Sequence, residues 1–139
     1  MLVNLKDLLP EAAAGDFAVP CFNVFGYEDA KAVVEATEET NRSVILACNK
    51  DVVDFYGVET AASMFLNLAK QSSAPVCLHL DHTYEEEIVF RALKAGFSSV
   101  MFDGSQLTLD ENIRRTRNVA RVAHALGASV EGEIGSVPY

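Results

Sequence analysis

A regular alternation of short apolar runs with longer amphipathic segments constrains the fold of this chain more than any other feature of its sequence. The runs are too short for typical helices, and turn-forming residues flank them, so they predict buried strands. The predicted strands cover residues 19–24, 43–48, 76–80, 99–102 and 129–133. Continuous apolar strands separated by helices are typical of parallel sheets whose faces are covered by helices. The sequence therefore predicts an α/β fold with parallel strands.

The segments between the strands carry helix signals. Thr83 and Thr108 each stand three residues before a glutamate, which is the pattern of a helix capping box. Gly96 and Gly127 then end the two helices that these boxes begin. Apolar periodicity predicts the remaining helices over residues 4–14, 29–40 and 58–71. No linker or low-complexity segment interrupts the pattern, so we expect residues 1–139 to form a single unit.

Two architectures accommodate this pattern. A (β/α)8 barrel takes about 250 residues, and this chain of 139 residues would supply a (βα)4β5 part of it. A five-stranded doubly wound sheet fits within the length of the chain. Strand order distinguishes the two, because a barrel has the sequential order 1-2-3-4-5 and a doubly wound sheet has the order 2-1-3-4-5. The alternation alone does not choose between them.

The charge of the chain restricts its partners. It carries 20 acidic and 11 basic side chains, a net charge of −9, which argues against binding to nucleic acid or to anionic membranes. No apolar stretch reaches the roughly 18 residues of a membrane span, and the first residues do not have a signal-peptide pattern. Cys21, Cys48 and Cys77 lie in predicted strands and are widely spaced, so we interpret them as small buried apolar groups in a reducing compartment. We expect a cytoplasmic protein.

Titratable side chains follow three successive predicted strands. Asp81 and His82 come directly after the run 76–80, Asp103 follows the run 99–102, and the last strand carries Glu131 and Glu133. The carboxyl ends of parallel strands meet at one edge, where α/β proteins build their active sites. One cation can neutralise carboxylates that would otherwise repel each other. The pattern therefore predicts a metal site at this edge.

Each of these residues also has a purely structural interpretation. In that interpretation, Asp81 is simply an acid at a strand end ahead of a helix, and His82 is a strand-end histidine hydrogen-bonded to the backbone. Asp103 is in that interpretation the first residue of an Asp-Gly turn. A period of two places Glu131 and Glu133 on one face of the last strand, so either glutamate is an acceptable metal ligand. Adjacent strand residues point to opposite faces, so Asp81 and His82 both reach the site only if the chain leaves strand geometry after Leu80. A helix cap at Thr83 would allow that turn.

Motifs spread over the whole chain carry a resemblance to a known family. They are Val-Pro-Cys-Phe-Asn-Val at 19–24, Val-Ile-Leu at 44–46, His-Leu-Asp-His at 79–82, Ala-Gly-Phe-Ser-Ser-Val-Met-Phe-Asp-Gly-Ser at 95–105, Glu-Asn-Ile at 111–113, Ala-His-Ala-Leu-Gly at 123–127 and Val-Glu-Gly-Glu-Ile-Gly at 130–135. Together they resemble the class II, metal-dependent ketose-bisphosphate aldolases, which include fructose- and tagatose-bisphosphate aldolases. The resemblance implies a (β/α)8 barrel, of which this chain is an N-terminal (βα)4β5 part with a short N-terminal helix.

The resemblance also implies roles for the site residues. Asp81 matches the catalytic acid/base, and His82 matches a ligand of the catalytic zinc. Asp103 and Glu133 match ligands of a second position, for a divalent or monovalent cation. The implied reaction is aldol cleavage of a ketose 1,6-bisphosphate to dihydroxyacetone phosphate and glyceraldehyde 3-phosphate. A Lewis-acidic cation stabilises the enediolate, while Asp81 takes and returns the C4 hydroxyl proton.

The substrate contacts are less well defined by the sequence. Asn23, after the first predicted strand, is placed to bond substrate hydroxyls. Many relatives have a phosphate-binding serine after the second strand, where this chain has Asn49 and Lys50, so we expect Lys50 to supply the charge for phosphate. Alternatives are a non-catalytic five-stranded module that binds a phosphorylated ligand, and an assembly subunit related to aldolases. The family also implies a homo-oligomer, a dimer or a tetramer.

Much of the family's active site lies in the part of family members that the resemblance does not cover. Two further zinc histidines and a glycine-rich phosphate loop belong to the second half of family members, and a catalytic zinc takes three protein ligands. We therefore expect this chain alone to be incomplete and inactive. The predicted strands at 19–24 and 129–133 would have unpaired edges, and apolar side chains would lose the opposite barrel wall, so we expect association or aggregation. The side chains expected to face the barrel interior are Val44, Leu46, Leu78 and Leu80.

Overall fold

Strands and helices follow one another along residues 1–135, the part of the chain that the computed structural model describes, with two successive helices between the third and fourth strands. The strands are β1 (Leu2–Val3), β2 (Cys21–Asn23), β3 (Val44–Cys48), β4 (Val76–Thr83), β5 (Ser99–Phe102) and β6 (Ser129–Gly132). The helices are α1 (Leu5–Gly15), α2 (Tyr27–Thr40), α3 (Lys50–Tyr56), α4 (Val58–Gln71), α5 (Glu86–Ala95) and α6 (Leu109–Ala125). The short elements β1 and α3 were not predicted; all the others were.

The five longer strands form one parallel sheet in the order β2-β3-β4-β5-β6. The two-residue strand β1 lies off this path and pairs with the start of β4, where Leu2 stands opposite Val76. A sequential parallel order is that of a (β/α)8 barrel and differs from the order of a doubly wound sheet. The predicted (βα)4β5 partial barrel is therefore confirmed, with strands β2 and β6 at the two ends of the order.

Alternate side chains of the central strands pack against the helices. Val44 and Leu46 of β3 belong to the same buried cluster as Leu78 and Leu80 of β4. Helical side chains complete this cluster, among them Phe65 of α4. The prediction that these four strand residues face the barrel interior is therefore wrong. In a strand that is apolar throughout, the sequence does not show which of the two alternating sets faces the helices.

Helix α1 covers the opposite face at the amino ends of the central strands. Its Leu8 packs with Ile45 and Cys77 in a second, smaller buried cluster. Asn4 caps the helix, because its side chain accepts from the backbone N–H of Asp7 at 3.1 Å. The Asn4 side chain also donates to the Gly127 carbonyl at 2.9 Å. Since α1 closes the amino ends, the carboxyl ends of the strands remain available for a site.

The predicted helix boundaries are partly confirmed. Thr108 caps α6 by accepting from the backbone N–H of Glu111 at 3.4 Å, and Gly96 ends α5 with a left-handed φ of 106°. The cap predicted at Thr83 is wrong, because β4 continues through Thr83 and α5 begins at Glu86. Thr83 stays in the sheet because its carbonyl accepts from the backbone N–H of Asp103 at 2.8 Å.

The three cysteines have free thiols and lie in strands, as predicted. Cys48 and Cys77 are buried, and burial raises the pKa of each thiol to about 12. Cys21 is exposed, so the prediction that it is buried is wrong; it lies on β2, which among residues 1–135 pairs only with β3. Within residues 1–135, none of the helices has the length and apolar character needed to cross a membrane.

Candidate metal centre at the carboxyl ends of the strands

Strand β4 breaks its regular geometry where the titratable residues begin. The pairing between β4 and β5 shifts in register between Leu80 and Thr83, and His82 has a positive φ of 42°. A positive φ is uncommon for a residue other than glycine and is often found at functional sites. The expected departure from strand geometry after Leu80 is therefore confirmed. Its cause is a bulge at His82 and not a helix cap at Thr83.

Three strand ends bring one histidine and two acids together. The Nδ1 atom of His82 lies 3.0 Å from Asp103 Oδ2 and 3.5 Å from Glu133 Oε2. Each of the three residues offers one ligand atom, and these atoms lie within 4.8 Å of one another. We call His82, Asp103 and Glu133 the metal cluster. One imidazole and two carboxylates are donors that suit a divalent transition-metal ion, so the residues present fit a cation of this kind.

Within the metal cluster, His82 and Asp103 shift each other's pKa values toward the charged forms. Burial lowers the pKa of His82, but the hydrogen bond to Asp103 and the nearby charges of Asp81, Glu133 and Asp103 outweigh it, and the net shift is upward. Burial raises the pKa of Asp103, yet hydrogen bonds from Ser105 and His82 bring it below its usual value. Asp103 is thus an anion in a buried position. The carboxylates of Asp103 and Glu133 face the imidazole at 3.0 and 3.5 Å, and this arrangement favours positive charge at that point.

Asp103 also has the turn-forming contact that the sequence suggested. Its Oδ1 atom accepts from the backbone N–H of Ser105 at 3.0 Å, while its Oδ2 atom faces His82. The two interpretations of this residue are compatible, because its two carboxylate oxygens have different partners. The turn fixes the rotamer that aims Oδ2 at the imidazole.

A second histidine lies beneath the metal cluster. His79 is buried, and its Nδ1 atom is 2.8 Å from the hydroxyl of Ser99. Its Nε2 atom lies 3.4 Å from Glu131 Oε2 and 3.9 Å from Asp81 Oδ1. Burial lowers the pKa of His79 to about 4 despite the nearby charge of Asp81. The Ser99–His79–Glu131 contacts were not predicted, although the period of two along each strand places all three residues on one face.

The two glutamates of the last strand therefore have different neighbours. Glu133 lies beside His82 in the metal cluster, whereas Glu131 lies beside His79. Strand β6 ends at Gly132, so Glu133 is no longer bound to the alternation that Glu131 follows. Asp81 lies between the two groups, with about a fifth of its side chain exposed. It is outside the metal cluster but close enough for its charge to affect His82 and Glu131.

A cleft of about 240 Å³ opens beside His82 and is lined in part by Lys50 and Thr83. Lys50 forms an ion pair with Asp54, one turn along α3. Asn49 does not line the cleft and instead caps α3, since its side chain accepts from the backbone N–H of Val52 at 3.3 Å. Asn23 is exposed at the end of β2 and is also outside the cleft lining. Of the three predicted substrate contacts, the cleft contains only Lys50.

Comparison with known proteins places the chain in a family. The family model for class-II fructose-bisphosphate aldolase matches residues 3–139. The fructose-bisphosphate aldolase of Ureaplasma parvum is 41% identical over 140 residues, which cover 98% of this chain and 48% of that protein. The 6-phospho-5-dehydro-2-deoxy-D-gluconate aldolase of Bacillus licheniformis is also 41% identical, over 97% of this chain and 47% of that protein. The chain thus spans about half the length of the curated relatives it matches.

Solved structures show the same relationship. The YdjI aldolase from Escherichia coli K12 aligns with a TM-score of 0.91 at 32% identity, covering 97% of this chain and 51% of that one. The fructose-bisphosphate aldolase of Campylobacter jejuni aligns with a TM-score of 0.86 at 27% identity, covering 99% of this chain and 47% of that one. The chain therefore belongs to the class-II fructose-bisphosphate aldolase family.

Proposed function

We propose that this chain provides the acid/base and part of the metal site of a zinc-dependent aldolase that acts on a phosphorylated sugar. The observation that carries the proposal is the metal cluster, in which ligand atoms from three strand ends lie within 4.8 Å of one another. Asp81, next to His82 in the chain, is partly exposed beside this cluster. The family of the chain supports carbon–carbon bond cleavage over a merely structural cation site.

His82 is the proposed ligand for the catalytic zinc. Asp103 and Glu133 are the proposed ligands of a second cation position in the complete enzyme. In the isolated chain we propose that they hold one ion together with His82, because the three ligand atoms lie within 4.8 Å of one another. A bound zinc ion would supply Lewis acidity, which stabilises negative charge on the substrate oxygens. The carboxylates of the metal cluster balance the charge of the cation and orient the imidazole of His82.

Asp81 is the proposed acid/base. Its carboxylate accepts the proton of the substrate C4 hydroxyl during cleavage and returns it to the aldehyde oxygen during condensation. The bulge at His82 allows this role, because it turns the imidazole toward Asp103 while Asp81 keeps the orientation of the strand. Neighbouring His79 contacts the same carboxylate from the buried side, at 3.9 Å.

The proposed substrate is a ketose 1,6-bisphosphate of the fructose or tagatose type. Relatives of equal identity are named for fructose bisphosphate and for 6-phospho-5-dehydro-2-deoxy-D-gluconate, so the latter is the second candidate. Both candidates carry phosphate, and Lys50 is the proposed cationic contact, since it lines the cleft beside His82. Asn23 and Asn49 remain weaker proposals because neither lines that cleft.

We further propose that residues 1–139 form one folding unit, that the protein is cytoplasmic and oligomeric, and that this chain alone does not turn over substrate. The side chains of Cys21, Phe22 and Asn23 on β2 are all exposed, and β2 ends the strand order. An unpaired parallel edge of this kind recruits other strands. Size-exclusion chromatography of the isolated chain should show a dimer or larger species, and an active monomer would contradict this part of the proposal.

The proposed activity can be tested in a hybrid enzyme, in which residues 1–139 replace the matching half of the Ureaplasma parvum fructose-bisphosphate aldolase. The hybrid enzyme should cleave at least one of the candidate substrates, lose activity in EDTA, and regain it with zinc. An assembly subunit without aldolase chemistry would give a folded hybrid with no turnover. Turnover that is insensitive to chelator would contradict the metal-dependent mechanism.

A further inference from the structure

Asn112 is a buried polar residue of α6 that the proposed chemistry does not use. Its Nδ2 atom donates to the backbone carbonyl of Glu133 at 2.7 Å. Its Oδ1 atom accepts from the hydroxyl of Thr116, one turn further along the helix, at 2.9 Å. Because both polar atoms of the amide have partners, the orientation of the Asn112 side chain is fixed.

The same side chain packs against the residue that follows Asp103. A Cβ atom at Gly104 would come within 2.3 Å of Asn112 Oδ1 and 2.5 Å of its Cγ, so glycine alone leaves room for the amide there. Asn112 is thus wedged between the backbone next to Asp103 and the backbone of Glu133. These two segments follow different strands, β5 and β6.

We propose that Asn112 is a positioning residue that sets the spacing between Asp103 and Glu133, and through it the geometry of the metal cluster. Pairing between β5 and β6 extends to Phe102 and Gly132, so Glu133 lies just beyond the sheet hydrogen bonds. The hydrogen bond from Asn112 Nδ2 holds the backbone carbonyl of Glu133 at that point. The inference rests on the proposed function only in taking the metal cluster as a cation site.

A buried asparagine that merely anchored α6 would affect stability but not the affinity for metal. Affinity depends on the spacing of ligand atoms, and residues that orient metal ligands typically contribute tenfold or more to it. The two roles are therefore separated by measuring zinc affinity and thermal stability on the same variants. Asn118 provides the matched control, because it lies on the same helix and donates to the Glu86 carboxylate at 2.9 Å, away from the metal cluster.

The test is zinc binding to the 139-residue chain, measured by competition with a chromophoric chelator. Asn112→Ala should weaken zinc binding by about tenfold or more, whereas Asn118→Ala should leave the affinity unchanged. Gly104→Ala should give a similar loss, since its new methyl group displaces the amide, and the double variant should be no weaker than either single variant. Thr116→Val, which removes only the anchor of Oδ1, should give a smaller loss and serves if Asn112→Ala does not fold.

Equal zinc affinity in the unsubstituted chain, Asn112→Ala and Thr116→Val would overturn the inference. If the unsubstituted chain does not bind zinc, the metal cluster is not a cation site in the isolated chain, while the hybrid enzyme still tests the proposed function; crystal structures of the metal-free variants then decide the inference. The separation of 3.5 Å between His82 Nδ1 and Glu133 Oε2 should lengthen in Asn112→Ala. An unchanged separation would overturn the positioning role.

Discussion

The Nε2 atom of His79 lies 3.4 Å from Glu131 Oε2, so the two glutamates of the sequence Glu-Gly-Glu reach different histidines. Glu133, only two residues later, lies beside His82. The sequence alone made either glutamate an acceptable metal ligand. The structure separates them into one residue of the metal cluster and one half-exposed residue beside the buried His79, which also lies 3.9 Å from Asp81 Oδ1.

This separation predicts different effects of the same substitution. Glu133→Gln removes an anionic ligand and should weaken zinc binding by more than about tenfold, since residues that only hydrogen-bond to metal ligands already contribute that much. Glu131→Gln is the matched control and should change zinc affinity much less. Chelator competition on both variants measures the difference. Equal losses would show that the charge of the strand end matters and not the individual contact.

Asp81 and His82 should separate turnover from metal content. In the hybrid enzyme, Asp81→Ala should reduce kcat by about 100- to 10,000-fold, the usual contribution of a general acid/base, while zinc content stays nearly unchanged. His82→Ala should lose zinc, because it deletes a ligand. Turnover assays and metal analysis of the purified variants test both expectations. An Asp81→Ala enzyme with most of its activity would mean that another group moves the proton.

His79 should make the fold sensitive to acid. Its pKa is about 4 in the folded chain, against an ordinary value of 6.5, because burial disfavours the charged ring. As pH falls below 6.5, the unfolded chain binds this proton before the folded chain does. Protonation of His79 therefore leaves the free energy of unfolding unchanged above pH 6.5 and lowers it as pH falls toward 4. The loss is on the order of 3 kcal/mol in the free energy of unfolding.

Urea unfolding at several pH values measures this effect. His79→Gln should flatten the pH dependence between pH 4 and 6.5, whereas His124→Gln, at an exposed position near the end of α6, should leave it unchanged. The same slope in the unsubstituted chain and in His79→Gln would assign the acid sensitivity to the carboxylates instead.

Lys50 should contribute to phosphate binding in the hybrid enzyme. Lys50→Ala should raise KM for the phosphorylated substrate about tenfold, which corresponds to the loss of about 1.4 kcal/mol. Lys31→Ala is the control, because Lys31 also pairs with an acid one turn away but lies outside the cleft. Steady-state kinetics on the two variants test this, and equal KM values would remove Lys50 from the substrate site.

Much of the fold followed from local patterns. The alternation of apolar runs and amphipathic segments predicted each of the longer strands and helices, and the strand-end residues Asp81, His82, Asp103 and Glu133 marked the edge where the site lies. These predictions depend on short-range periodicity and on the rule that parallel strands end together. The strand order was confirmed by the structure but needed the family resemblance to be predicted.

Features that depend on long-range contacts were not predicted correctly. Thr83 has the sequence of a helix cap, but pairing with the residue after β5 keeps it in the sheet. Leu46 was assigned to the wrong face, since β3 is apolar throughout and its sequence has no polar alternation that would distinguish the two faces. The role of Asn112 depends on a contact between α6 and the residue after β6, which no local pattern reveals.

The most direct test of the proposed metal centre is a crystal of the chain grown with zinc and measured on both sides of the zinc absorption edge. The proposal predicts one anomalous peak about 2.0–2.2 Å from a nitrogen of His82 and from carboxylate oxygens of Asp103 and Glu133. A peak bound by other residues, or a zinc-soaked crystal with no peak at the carboxyl ends of the strands, would contradict it.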